Sequence, residues 1–325
     1  MAGLCYASMR YCLMLEGQEG VTWDEWVAAA LAAERLGFEA IFTSDHYFSE
    51  MPSHDRGSSD AWTNLAGLAA VTSTIRLGTL VSPVTFRLPA VLAKAAVTVD
   101  RISRGRVEIG MGAGWWEEEH RSHGFPFPPV PERFDMLEEQ LEIVHGLLTQ
   151  DAFTFEGAHY QLEDVRFAPK GVQAPHPPIV MGGAGGPRMS RLVSRWANEF
   201  NTVGVGPKEA GSRFERVRER LHADGRAQDT LTTSLMTWCY VGETEADAVA
   251  RVTRARERAK REGTLQDELG DIRATCVFGS PAQAAERLSE YAAAGAQRVM
   301  LNHELFEDLE MLDVLVERVF PLMQG

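Results

Sequence analysis

Residues 37–48 have the sequence GFEAIFTSDHYF, in which a short apolar run leads directly into two ionisable side chains. The run contains Ile41 and Phe42 and is bounded by glycine and charge, a pattern typical of a buried strand. Asp45 and His46 follow it at once. Because an unpaired charge is costly to bury, we predict that this strand ends at a polar opening and not inside the core.

The combination of a strand and a following helix recurs along the chain. Thr22 and Glu25, three residues apart, predict the start of the first helix, and Gly37 predicts its end. Eight apolar runs of strand length alternate with helical patterns. We predict strands at residues 8–15, 39–44, 75–83, 105–114, 177–183, 199–205, 232–242 and 296–302.

Eight strands that alternate with helices indicate an α/β fold, here a single (β/α)8 TIM barrel domain spanning residues 1–325. A doubly wound open sheet is the alternative architecture. That sheet usually has fewer strands and carries a glycine fingerprint after the first one, which this sequence lacks. We therefore predict the barrel.

Three insertions interrupt the alternation. Residues 115–132, after the fourth strand, are rich in proline, glycine and aromatic residues. Residues 151–177, before the fifth strand, contain a predicted hairpin with its turn at residues 156–157. Residues 263–281, before the eighth strand, are predicted to be irregular. Because long connections in compact domains often form lids, the first two are candidate lids over a site.

The composition argues against several kinds of partner and compartment. The chain has 325 residues, of which 45% are hydrophobic, and a formal net charge of −14. Such a chain has no basic stripe to attract phosphate, so we expect neither nucleic acid nor an anionic membrane surface as a partner. No apolar run reaches the roughly 18 residues of a membrane span. The N-terminus also lacks the basic and apolar regions of a signal peptide, so we expect a cytoplasmic protein.

The four cysteines are Cys5, Cys12, Cys239 and Cys276. They form no C-x-x-C pair, and their spacing suits neither a disulfide framework nor a zinc site. We expect them to be free thiols in a reducing compartment.

The active sites of (β/α)8 barrels form at the C-terminal ends of the strands. The candidate residues at those ends are Thr43, Ser44, Asp45, His46, Leu80, Val81, Ser82, Gly112, Ala113, Gly114, Met181, Gly182, Gly183 and Ala184. Histidine titrates near neutral pH, so His46 is a candidate proton donor or acceptor. Asp45 is a candidate to fix its tautomer or to contact a cofactor. A structural hydrogen bond is an equally good interpretation of a histidine at a strand end.

The segment MGGAGGPRMSR, residues 181–191, combines four glycines with the start of a helix. Glycines such as Gly185 let backbone N–H groups approach a ligand, and a helix N-terminus attracts anions. Arg188 lies in the first turn of that helix. A tight turn that needs positive φ is the structural alternative. A second glycine turn at residues 110–115, GMGAGW, favours a phosphate site.

Three other groups of residues give weaker indications. His120 and His123 have only a weak resemblance to a metal pair, and a solvated loop is the better interpretation, so we predict no metal site. Trp115 and Trp116 are expected to pack, or to form the wall of a substrate pocket. The glutamates at residues 117–119 are expected to form a solvated face.

Taken together, these segments resemble the luciferase-like monooxygenase superfamily, and within it the F420-dependent oxidoreductases. The stretches that carry the resemblance are residues 37–48, 59–120, 126–144 and 175–201. The resemblance implies a barrel, usually dimeric, that binds coenzyme F420 at the C-terminal ends of its strands.

The resemblance also implies roles for individual residues. Asp45 and His46 match residues beside the deazaflavin ring, and the bond between Leu80 and Val81 matches a non-prolyl cis peptide whose bulge backs that ring. Ser82, the next residue, is included among the expected cofactor-binding residues. The glycine turns at 112–114 and 182–186 match segments that hold the phosphate tail. Arg188 is included with them among the expected cofactor-binding residues.

Two positions depart from the branch that oxidises glucose 6-phosphate. Glu50 and Trp115 occur where that branch has a tryptophan and a catalytic glutamate, which argues against sugar-phosphate oxidation. The resemblance therefore implies hydride transfer between F420 and another small organic substrate. The alternative is an FMN-dependent monooxygenase on the same fold. A non-catalytic flavin-binding protein and a metal-dependent barrel hydrolase are rival classes.

Overall fold

The structure, a computed structural model, describes residues 9–51 and 56–323. Eight parallel strands form a closed ring, because each pairs with the next and the last pairs with the first. In chain order the ring strands are β1 (Arg10–Leu15), β2 (Ala40–Thr43), β3 (Arg76–Thr79), β4 (Val107–Gly112), β5 (Ile179–Gly182), β6 (Glu199–Val203), β7 (Thr232–Val241) and β8 (Arg298–Asn302). The predicted α/β barrel is confirmed.

Helices surround this ring. They are α1 (Trp23–Arg35), α2 (Ala61–Val71), α3 (Pro89–Ser103), α4 (Glu117–His123), α5 (Val130–Thr149), α6 (Pro187–Trp196), α7 (Pro207–Ala223), α8 (Glu245–Ala259), α9 (Leu265–Thr275), α10 (Pro281–Ala293) and α11 (Glu310–Val314). The predicted start of α1 is confirmed, because the Glu25 N–H donates to Thr22 Oγ1 at 3.3 Å. Gly37, with φ of +81°, follows the end of α1.

Side chains on the strands alternate between two packed layers. Leu13 and Ile41 point outward into a large cluster shared with the helices. Met14, Phe42 and Met300 belong to a second cluster that fills the barrel interior. This alternation follows from the two-residue period of a strand, and it leaves the barrel filled below its C-terminal end.

A buried ion-pair network closes the opposite end of the barrel. The Arg298 guanidinium bonds Glu108 at 2.7 Å and Glu199 at 2.8 Å. Arg76 Nε donates to Glu108 Oε1 at 2.5 Å. These residues lie at the N-terminal ends of β8, β4, β6 and β3, so an open site is left at the C-terminal end.

Of the three insertions, the one before β5 has the predicted structure, and the other two are more regular than predicted. The hairpin before β5 is confirmed as strands Phe153–Glu156 and Gln161–Val165. The segment after β4 contains α4. The prediction of an irregular segment at 263–281 is wrong, because Thr264 caps α9 and a short strand, Val277–Gly279, pairs with β7.

Three of the cysteines, Cys12, Cys239 and Cys276, are buried free thiols, and Cys5 lies outside the described residues. Among the helices of the described ranges, none has the length and apolar character needed to cross a membrane.

Candidate active site

A cavity of about 1130 Å3 opens where the C-terminal ends of the barrel strands meet. Most of the predicted site residues lie on its wall. These are Ser44, His46, Leu80, Val81, Gly112, Ala113, Gly114, Gly182, Gly183, Ala184 and Arg188. The other candidates, Thr43, Asp45, Ser82, Met181 and Gly185, are not among its lining residues.

Val81 forms part of the cavity wall between two glycines. The Leu80–Val81 peptide bond is cis, as the resemblance implies. A Cβ atom on Gly112 would lie 2.7 Å from the Val81 side chain, and one on Gly182 would lie 3.3 Å from it. Glycine at both positions therefore makes room for Val81 between β4 and β5.

The N-terminus of α6 forms another part of the wall. Gly186 precedes this helix, lines the cavity, and would meet no atom within 4 Å if it carried a Cβ. No side chain caps the helix, so the N–H groups of its first turn lack an internal partner. Arg188 extends from that turn and pairs with Asp135 at 2.6 Å. This corner has the donors that an anion needs.

Gly185 and Ser82 support the structure next to the cavity and do not line it. Gly185 has φ of +66°, and a Cβ there would lie 3.3 Å from Phe200, so it shapes the turn before α6. Ser82 is buried, accepts a hydrogen bond from Trp62 Nε1 at 3.0 Å and donates to Asp45.

Glu119 is the partner of His46. His46 Nδ1 lies 2.8 Å from Glu119 Oε2, and the N–H of Tyr47 donates to the other carboxylate oxygen at 2.5 Å. Burial by itself would lower the pKa of His46, but the hydrogen bond and charge of Glu119 outweigh it and raise that pKa. The prediction of a solvated face at 117–119 is wrong for Glu119, because α4 turns this residue inward and leaves its two predecessors exposed.

Asp45 does not orient His46, contrary to expectation. Its carboxylate is buried and accepts hydrogen bonds from Ser82 Oγ and Arg87 Nη1, both at 2.5 Å. Burial raises the pKa of Asp45 although Arg87 opposes this change. Arg87 also bonds Asp60 at 2.6 Å, so Asp45 is part of a buried network beside the site.

Two carboxylates missed by sequence reasoning lie on the cavity wall near His46. Gln18 Nε2 donates to Glu16 Oε2 at 2.9 Å and to Glu50 Oε1 at 3.2 Å. Burial raises the pKa of Glu16. Burial raises the pKa of Glu50 to about 7, and the neighbouring charge of Glu16 adds to this rise. Glu16 directly follows β1, so the strand-end rule that selects His46 would also have selected it.

A polar cluster from the later part of the chain completes the wall. Tyr240 bonds Glu304, and Arg261 bonds Glu304 and, at 2.8 Å, Glu268. All four side chains line the cavity. Glu268 lies on α9, and the prediction of an irregular segment there concealed its contribution.

Trp115 lies at the mouth of the cavity and is 61% exposed. Its ring stacks on Trp116 at 5.8 Å and meets His46 edge-on at 6.0 Å. The expected pocket wall is therefore present.

His120 is buried and not part of a solvated loop as predicted. Its Nε2 lies 2.6 Å from Thr85 Oγ1, and its Nδ1 lies 2.6 Å from the carbonyl oxygen of Trp116. Both ring nitrogens are thus engaged by neighbouring residues. In the ranges 9–51 and 56–323, no group of three or more His, Cys, Asp or Glu residues could hold a metal ion.

Comparison with known proteins gives consistent matches. A family model described as luciferase-like monooxygenase matches residues 9–298. An F420-dependent glucose-6-phosphate dehydrogenase of Amycolatopsis mediterranei is 34% identical over 54% of this chain and 51% of its own length. An FMNH2-dependent dimethylsulfone monooxygenase of Pseudomonas putida is 29% identical over 65% of this chain and 57% of its own length. These matches therefore span little more than half of either relative.

The fold also matches a solved structure. The coenzyme F420-dependent tetrahydromethanopterin reductase of Methanopyrus kandleri superposes with a TM-score of 0.82 at 21% identity, over 97% of this chain and 99% of the reductase. At this identity the match supports the shared barrel architecture alone.

Proposed function

The chain belongs to the luciferase-like monooxygenase family, and from this membership we propose that it is an F420-dependent oxidoreductase. In this proposal a hydride passes between the deazaflavin and a small organic substrate. Relatives named F420-dependent dehydrogenases support the choice of cofactor. The observation that carries the proposal is the occurrence of Val81 and His46 on the wall of one cavity, with the buried Glu119 bonded to His46.

The residues around α6 fit a cofactor that carries a phosphate. Gly186 leaves open space before the helix, and the uncapped first turn offers N–H groups. Arg188 adds a cationic side chain at the same corner. These residues would hold the anionic end of the cofactor.

The cis bulge fits the flat ring of the same cofactor. Val81 offers an apolar branched side chain, and Gly112 and Gly182 keep the neighbouring strands free of bulk. These residues would support one face of the ring. When bound, a deazaflavin supplies a carbon centre that exchanges two electrons as a hydride.

His46 is the residue proposed to move a proton. Because Nδ1 is held by Glu119, Nε2 is the nitrogen that exchanges a proton with the substrate. The raised pKa keeps His46 protonated over a wider pH range, so it can donate a proton when the substrate is reduced. In the oxidative direction the same nitrogen accepts the proton. The buried carboxylate of Glu119 stabilises the charged imidazole in both cases.

An FMN-dependent monooxygenase is the second candidate function. It is favoured by the 29% identity to the FMNH2-dependent relative. A phosphate corner and a ring-supporting bulge suit FMN as well, so the two candidates differ in cofactor and not in the shape of the site.

Cofactor binding followed by turnover tests the proposal. The purified protein is incubated with F420 or with FMN, passed through a gel-filtration column, and examined by its visible spectrum. We expect F420 to co-elute. Its absorbance should fall when an alcohol from a panel reduces it, or return when a carbonyl compound oxidises the reduced form. Retention of FMN alone, with substrate-dependent oxygen consumption once the FMN has been chemically reduced, would replace the proposal with the monooxygenase.

We also propose a homodimer acting in the cytoplasm on a small-molecule substrate. The dimer is carried over from the family resemblance. Light scattering on the eluted protein measures its mass directly, and a monomeric mass would remove this part of the proposal.

A further inference from the structure

We propose that the part of the cavity around His46 binds substrates that carry an ammonium group and excludes anionic substrates. This inference rests on the proposed function, because it names the substrate class for the same cavity. It is carried by the charges, the aromatic wall and an unpaired acceptor among the lining residues.

Carboxylates outnumber cations on the described wall of the cavity. The lining carboxylates are Glu16, Glu19, Glu50, Glu268 and Glu304, and the lining cations besides His46 are Arg188 and Arg261. An anionic substrate would therefore meet mostly like charge. An organic cation would meet opposite charge, which favours its binding at short range.

Two cavity carboxylates that act on His46, Glu16 and Glu50, lack an arginine or lysine partner among the described residues. Glu16 and Glu50 are joined by the neutral amide of Gln18, and neither forms an ion pair with an arginine or lysine of the described ranges. Glu19 differs, because Arg56 lies 3.6 Å from its carboxylate. Because burial raises the pKa of both carboxylates, that of Glu50 to about 7, the negative charge of this pair is greatest above pH 7, where His46 also loses its proton most readily.

Both lining arginines already have carboxylate partners. Arg188 pairs with Asp135 at 2.6 Å at the α6 corner. Arg261 pairs with Glu268 at 2.8 Å and with Glu304. Under the proposed function Arg188 is engaged by the anionic end of the cofactor, and Arg261 stays paired with two carboxylates, so neither is left for an anionic group of the substrate.

An aromatic wall adjoins this negative charge. The exposed indole of Trp115 stacks on Trp116 beside His46. Faces of indole rings attract ammonium groups by cation–π interaction. An alkylammonium group can bind carboxylates through its charge and indole faces through cation–π interaction, so a site with both favours it.

Asn201 independently indicates a ligand that donates a hydrogen bond. Its side chain lines the cavity and is fully buried, and its Oδ1 atom accepts no hydrogen bond. Its Nδ2 atom already donates to Ser234 Oγ at 2.9 Å. Because buried acceptors are normally satisfied, this oxygen favours a ligand that brings a donor such as an N–H or O–H group.

The test uses three probes of similar size and different charge. They are choline, its neutral isostere 3,3-dimethylbutan-1-ol, and the anion hydroxypivalate. Dissociation constants are measured by NMR titration of the full chain above pH 7, where Glu50 is mostly ionised, with and without bound F420. We expect choline to bind about tenfold more tightly than the neutral probe and hydroxypivalate to bind least.

Two variants locate the preference. Glu50→Gln keeps an amide oxygen for Gln18 but removes the charge, and it should abolish most of the preference for choline over its isostere. Glu118→Gln removes the same charge from an exposed position outside the cavity and should leave the preference unchanged. Trp115→Ala should weaken the binding of choline and leave the binding of hydroxypivalate unchanged.

The outcomes separate this inference from the proposed function. Equal binding of the three probes, or an unchanged preference in Glu50→Gln, would overturn the inference even if F420 binds. A preference for choline that depends on Glu50 would sustain it even in a protein that retains neither F420 nor FMN. In that case only the proposed function would fail.

Discussion

His46 and Glu119 are 73 residues apart in the chain, yet His46 Nδ1 lies 2.8 Å from Glu119 Oε2. One residue follows β2 and the other lies on α4, so the pair joins a barrel strand to an insertion. The carboxylate is fully buried, and its second oxygen is held by the backbone N–H of Tyr47. The pair therefore has one defined geometry, on which the proposed proton transfer depends.

Replacing Glu119 with glutamine should lower the pKa of His46. The raised pKa of His46 depends on the hydrogen bond and the charge of Glu119, and glutamine removes the charge. The limb of the pH–rate profile that reports His46 should move to lower pH, and turnover at neutral pH should fall about tenfold or more. Profiles of kcat against pH measure both effects. A profile that stays in place would mean that Glu119 has only a structural role, and Glu118→Gln is the matched control.

Replacing His46 with alanine should slow turnover while retaining the cofactor. Loss of a general acid–base group typically costs about 10²–10⁴-fold in rate. Dissociation constants for F420 should change little, since the phosphate corner at α6 is separate from this residue. Steady-state kinetics and a binding titration check the two halves of the prediction. Full activity in the variant would leave His46 as a contact residue.

Replacing Gly112 with alanine should weaken cofactor binding by displacing Val81. The new Cβ would lie 2.7 Å from Val81 Cγ2, closer than real Cβ contacts allow. We expect about tenfold weaker F420 binding and a stability loss of about 1–3 kcal/mol from overpacking. The double variant Gly112→Ala/Val81→Ala should recover stability. Gly270→Ala, whose added atom meets nothing within 4 Å, is the control.

Replacing Gly183 with valine should also weaken cofactor binding, by a different contact. A Cβ at this position would lie 3.1 Å from Met189 Cε, and a branched side chain would push against the start of α6. The backbone would then no longer approach the anionic end of the cofactor as closely. A binding titration measures the effect. Unaltered affinity for F420 would remove this turn from the proposed site.

Replacing Glu108 with glutamine should destabilise the barrel. Burial opposes ionisation of Glu108, but Arg298 and Arg76 outweigh it and lower its pKa to about 2. Breaking such a buried pair costs about 3–5 kcal/mol. The exposed pair of Glu138 and Arg191 provides the control, since Glu138→Gln should cost less than about 1 kcal/mol. Denaturant unfolding at pH 7 measures both variants.

The same carboxylate predicts how stability depends on pH. The folded pKa of Glu108 is below its ordinary value of 4.5, so its contribution is complete above about pH 4.5 and is lost as the pH falls toward 2. The difference in unfolding free energy between the natural chain and Glu108→Gln should therefore shrink over that range. A difference that stays constant down to pH 2 would contradict this assignment.

Much of the fold was predictable because it depends on local patterns. Alternating apolar runs and helical periods are properties of neighbouring residues, and they predicted the eight strands of the ring. The strand-end rule then brought His46, Leu80 and Val81 to one cavity without any knowledge of packing. Applied to the first strand, the rule would also have included Glu16. Capping residues such as Thr22 were predictable for the same local reason.

Only the tertiary structure decided which polar groups meet. Asp45 adjoins His46 in sequence but bonds Arg87, 42 residues away, while His46 bonds Glu119 on the face of α4 that turns inward. Glu268 reaches the cavity because α9 packs beside β7, which no local pattern indicated. Sequence by itself determined the strands and their ends, since these follow from short-range periodicity. Tertiary structure decided the partners of the charged groups, because a hydrogen bond requires two atoms within about 3 Å and helix orientation sets that distance.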